Sequence, residues 1–123
     1  KTAYEIKECD WSSDVCSSDL LRRVLSPEFL TTEYLSLRLQ LWSLAQVDPL
    51  FAAITADAQE DYRKGLAALI RAARPSLTAA DCKRRAADID VIQNGVWLTS
   101  LLGLDRTSIR RNLAHCEAIA FAD

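Results

Sequence analysis

Glycine and proline are nearly missing from this chain, at three residues each out of 123. A strand-and-turn architecture uses many of both at its reversals, so their scarcity points to long helices with few breaks. A large excess of charge of either sign is missing as well. The formal net charge is −2 at pH 7, too weak a field to draw the chain onto nucleic acid. No stretch reaches the ~20 apolar residues of a membrane span, and residues 7–18 are too polar for the core of a signal peptide. Histidine occurs once, at His115, and the four cysteines form no CxxC pair, which leaves too few ligands for a metal site. What is present is ordinary for a globular protein: half the residues are apolar and 26% are charged.

The first twenty residues, KTAYEIKECDWSSDVCSSDL, are of a different kind. They resemble the translation of a short-read sequencing adapter and its index, fused in frame to a genuine reading frame. Residues 1–5 can be encoded by AAG ACG GCA TAC GAG. Residues 10–19 can be encoded by GAC TGG AGT TCA GAC GTG TGC TCT TCC GAT. Residues 1–20 are therefore expected to be foreign to the fold, and residues 21–123 to form one domain. From Leu21 onward the chain holds 13 basic and 12 acidic residues, a balance of +1. Two cysteines remain there, Cys82 and Cys116, far apart in sequence and expected as buried free thiols of a reducing cytoplasm.

Four helices follow from capping and periodicity. Ser26-Pro27-Glu28 and Thr31-Thr32-Glu33 each read as a helix start. Leu35, Leu37, Leu39 and Leu41 alternate with polar residues as a strand would. Against that, the apolar pattern runs on through Trp42 and Leu44 at helical spacing, and no β-branched residue occurs between Tyr34 and Gln46. A helix is expected over residues 34–47, apolar on more than one face and so enclosed in a bundle. Asp48-Pro49 caps a long helix ending at Arg74-Pro75, with Leu50, Ile54, Ala58, Tyr62, Leu66, Leu69 and Ala73 as its inner stripe. Gly65 interrupts it and suggests a bend or a close contact. Thr78 with Asp81 opens a third helix to about Leu102. Its Lys83-Arg84-Arg85 run reads as a solvated face. Its second half is apolar around so much of its circumference that one small bundle cannot cover it. After Gly103 and Asp105 a last helix runs from Arg106 to about Phe121, with Ile109, Leu113, Cys116 and Ala120 as one stripe.

The order of these features resembles the C-terminal regulatory domain of TetR-family transcriptional repressors, in particular the BetI-like branch named for a choline-responsive regulator. The resemblance rests on Trp42, on Asp48-Pro49-Leu50 opening a long amphipathic helix, on Asp90-Val91-Ile92-Gln93-Asn94-Gly95-Val96-Trp97-Leu98, and on Leu102-Gly103-Leu104-Asp105. Asn94 to Leu98 match the family pattern of the penultimate helix, while Gln93 stands where isoleucine is usual. The resemblance implies an all-α antiparallel bundle whose last two helices pair with those of a second copy. It implies an interface of Val91, Gly95, Leu98 and Leu102 with Ile109, Leu113 and Cys116, in which Gly95 allows close approach. It places an effector cavity among helices carrying Leu39, Trp42, Phe51, Tyr62 and Trp97. The effector would be a small apolar or cationic organic molecule, choline-like if those rings build an aromatic cage. No cofactor is implied. Operator DNA would be read by a helix-turn-helix ahead of Leu21, which the adapter-like segment replaces.

Two other classes compete. A ligand-free helical dimerisation or adaptor module would have the same helices and no cavity. An enzyme would need His115 and Cys116 to cooperate, yet neighbours on a helix point about 100° apart. The carboxylates Asp57, Glu60, Asp61, Asp81, Asp88 and Asp90 lack the Glu-x-x-His pattern of a di-iron bundle. An enclosed cavity above about 300 Å³ between the first three helices, with a separate flat apolar face on the last two, separates the regulator from both.

Overall fold

The computed structural model describes residues 30–103 and 105–122. Among them the chain is all-α: α1 Thr32–Ala45, α2 Pro49–Ala73, α3 Ala79–Leu101 and α4 Arg106–Phe121. The helix start expected at Ser26-Pro27-Glu28 and the adapter-like residues 1–20 lie outside the described residues. The connecting segments are only three to five residues long, which folds each helix back on the one before it.

Each helix begins where its capping chemistry dictates. The Thr31 hydroxyl accepts from the Tyr34 amide at 3.2 Å, and the Asp48 carboxylate accepts from Leu50 at 2.9 Å with Pro49 at the first position. Thr78 accepts from the Asp81 amide at 3.1 Å, and Asp105 from Ser108 at 2.7 Å. These oxygens satisfy amides that have no partner within the helix. At the far end of α3, Gly103 takes φ +98°, a left-handed conformation that a residue with a Cβ adopts only under strain.

α3 is the axis of the molecule, packed against each of the other three helices. Its buried residues Cys82, Ala86, Ile89, Gln93, Val96 and Trp97 recur at three- and four-residue steps. Cys82, Ala86 and Ile89 meet Leu66 and Ile70 of α2 and Cys116 and Ala120 of α4 in the main core. Val96 and Trp97 meet Leu35 of α1 in a second, smaller one.

Several expectations need correction. α1 is not enclosed: Leu35 is its only buried residue, and Leu37 is 55% exposed. The inner stripe of α2 is packed only from Tyr62 onward, because Leu50 and Ile54 precede the reach of the main core and stay exposed. Gly65 makes no close contact, since a Cβ there would stand in open space. The basic run on α3 is not uniformly solvated either. Arg85 donates to the carbonyl oxygens of Ile119, at 3.1 Å, and Ala122, while Arg74 donates to Phe121 O at 2.9 Å. Two guanidinium groups thus cap the last turn of α4, whose carbonyls have no helical partner. Lys83 and Arg84 are exposed, as expected.

Candidate functional site

Where α1, the first half of α2 and the second half of α3 diverge, they line a half-open cavity of about 460 Å³, with Leu37 and Ile54 exposed at its mouth. α1 lines it with Tyr34, Leu37, Arg38, Leu41 and Trp42. α2 contributes Phe51, Ile54, Thr55, Ala58, Gln59 and Tyr62, and α3 contributes Asp90, Asn94 and Trp97. The lining is mostly apolar with a few polar groups, the usual composition of an organic-molecule site. The helices part here because α2 carries small or exposed residues such as Ala58 opposite α1 where the main core carries Leu66 and Ile70.

Three polar features organise the walls. The Arg38 guanidinium lies over Trp97, 3.9 Å from the ring centroid, with the Trp42 and Tyr34 rings at 5.6 and 5.7 Å. Asp90 is buried and paired with Arg63, Nε to Oδ2 at 3.0 Å. The Tyr62 hydroxyl donates to Oε1 of the fully buried Gln93, whose own amide nitrogen has no partner among the described residues. Burial pushes the Tyr62 phenol well above its ordinary value, against the opposing pull of Gln93, so it stays a neutral donor.

Burial likewise raises the Asp90 carboxyl, with the Arg63 charge opposing it. A carboxyl raised on folding contributes stability that is fully present below the ordinary value of 3.8 and lost as pH rises through the raised one. Asp90→Asn should therefore melt above the wild type at neutral pH and lose that advantage below pH ~4. The half-exposed Arg63 can rehydrate in the variant. Thermal melts across that range check this; an advantage independent of pH contradicts it.

Of the five residues expected at an effector site, Trp42, Phe51, Tyr62 and Trp97 line the cavity. Leu39 does not. It points to the other side of α1, into a small crevice with Leu35, Leu98 and Leu101. Tyr34, Arg38, Asp90 and Asn94 line the cavity without having been anticipated. The signal for two of them was available: Tyr34, Arg38 and Trp42 are spaced by four, which stacks them on one face of a helix.

The expected interface divides in two. Val91, Gly95, Leu98 and Leu102 form an outward stripe on α3, with Val91 71% and Leu102 79% exposed. A Cβ at Gly95 would meet nothing. The α4 residues face the other way. Cys116 is 0% exposed within the main core, and Leu113 and Ile109 pack against their own chain. The stripe read from α4 is the one that binds it to α2 and α3, so Cys116 is corrected from interface to core. The outward side of α4 carries Arg110, Arg111, Ala114 and Ala118 instead.

The model of one family, the C-terminal domain of BetI-type transcriptional repressors, matches residues 17–120. The chain belongs to that family. No curated protein and no solved structure matches it. The match takes in the last four residues of the adapter-like segment. A BetI-type C-terminal domain is a regulatory unit and not a catalyst. His115 is accordingly exposed while its neighbour Cys116 is buried, with burial pushing that thiol up to about 11. Cys82 is a buried free thiol too. No helix among the described residues of this BetI-type domain is long and apolar enough to cross a membrane.

Proposed function

We propose that this BetI-type domain is the sensing and pairing part of a ligand-responsive cytoplasmic repressor. It takes a small apolar organic effector between α1, α2 and α3, and it pairs with a second copy along the outward face of α3. Operator DNA is read by a separate helix-turn-helix unit. The observation that carries the reading is the cavity, whose 460 Å³ lies within the roughly 300–1,000 Å³ of small-molecule sites. An adaptor module without a ligand has no use for it.

The mechanism follows from how weakly α1 is held. Among its residues only Leu35 is buried, and Arg38 stacks across to Trp97. α1 is therefore the wall whose position an occupant changes at least cost, and it leads toward the DNA-reading unit. An effector biases that position only by its differential affinity for the two arrangements.

Ala58→Trp places an indole in the cavity from the middle of α2. With the wild type, 1-octanol at about a hundred times its dissociation constant should raise the melting temperature by roughly 10 °C. In Ala58→Trp the rise should vanish while the helical content stays the same. Equal shifts in both proteins contradict the cavity as the site.

A further inference from the structure

The aromatic cage that would suit a cationic effector is already occupied. Arg38 lies face-on over Trp97 at 3.9 Å with Trp42 and Tyr34 alongside, so the rings' attraction for a cation is spent on the chain's own guanidinium. Stacking engages only the face of that group; its N–H donors lie in its plane and remain available. Among the described residues no carboxylate or carbonyl oxygen accepts from them. The other charge in the wall, Asp90, is matched by Arg63 at 3.0 Å. Tyr62 is a neutral phenol committed to Gln93. The pocket thus presents a guanidinium stacked on aromatic rings with its in-plane donors unclaimed, beside a carboxylate, Asp90, whose direct partner is Arg63 and which also feels the Arg38 charge.

We infer that the effector is an apolar organic acid, its hydrocarbon body against Phe51 and Ile54 and its carboxylate accepting from Arg38. This rests on the effector-site reading above and narrows it to one headgroup. A planar guanidinium matches a carboxylate with two parallel hydrogen bonds, and it does so best where water is displaced by apolar walls.

Octanoate, 1-octanol and octyltrimethylammonium share one hydrocarbon chain and differ in headgroup charge. Titrated calorimetrically into the 123-residue protein, octanoate should bind at least about tenfold tighter than octanol, as a charge-assisted hydrogen bond implies. Arg38→Gln should erase that difference and leave octanol unchanged. Arg38→Lys, which keeps the charge but not the fork, should retain only part of it, and it serves if the glutamine variant does not fold. Equal binding of octanoate and octanol, or tighter binding of the ammonium, overturns the acid and leaves the cavity reading standing. Binding of none of the three overturns the cavity reading itself.

Discussion

Trp97→Ala should cost this domain about 3–5 kcal/mol, a large part of what a protein of its size has to lose. Three roles converge on the ring. It is 7% exposed in the small core with Leu35 and Val96, it forms one wall of the cavity, and it carries the Arg38 guanidinium. Truncation removes that buried area, and the space it leaves adjoins an existing cavity, so the surroundings cannot collapse to fill it. α1 then loses the ring against which both Leu35 and Arg38 pack. A fall in melting temperature of at least about 12 °C is expected, with α1 amides losing hydrogen-exchange protection before those of α3. Trp97→Phe keeps most of the apolar contact and should recover more than half of the loss. A uniform loss of protection would mean that Trp97 supports the main core and not α1.

The second large effect is on association. Val91 and Leu102 stand eleven residues apart at the ends of the outward stripe of α3, a span of about 16 Å. Both are mostly exposed in the single chain, so charging them leaves its own packing almost untouched. The double variant Val91→Glu/Leu102→Glu should lose less than about 0.5 kcal/mol of monomer stability. It should weaken pairing at least about a thousandfold, because each apolar side chain buried against a partner contributes roughly 1.5–3 kcal/mol. Sedimentation equilibrium over a range of concentrations reads this directly. A wild type that is monomeric throughout, or a charged variant that still pairs, would remove the α3 face from the account. Leu113 cannot serve the same test, since it packs against both cores of its own chain and a charge there unfolds the domain.

The sequence makes legible what is set by local signals. Helix limits came through almost to the residue because Thr31, Asp48-Pro49, Thr78 and Asp105 are caps whose effect needs no tertiary partner. The alternation of Leu35 to Leu41 belongs to a helix, as its continuation at helical spacing through Trp42 and Leu44 indicates. Facing was harder. On α4 the stripe Ile109–Leu113–Cys116 is apolar whether it meets its own chain or another, and periodicity alone does not say which. On α3 residue type does not separate the faces either: Ile89, Val96 and Trp97 are buried, while Val91, Leu98 and Leu102, of similar aliphatic character to the first two, are exposed. Four of the five expected cavity residues line it because large rings on three helices have few places to go. Leu39 stands half a turn from Leu37 and Leu41, so those two point into the cavity and the residue between them points away. Arg38 was missed for a different reason. A charged residue on a helix reads as solvated, and only the fold brings Trp97 over it.

The account assigns different work to two apolar surfaces, the cavity to a small molecule and the α3 stripe to a second copy. Nuclear magnetic resonance of the labelled protein, titrated with octanoate or 1-octanol, separates them most directly. Saturable shifts are expected at the Trp42 and Trp97 indoles, the Asn94 side-chain amide and the backbone around Phe51 and Tyr62, with Val91, Leu98 and Leu102 unmoved at constant protein concentration. Shifts confined to the α3 stripe, or a response that never saturates, would contradict it.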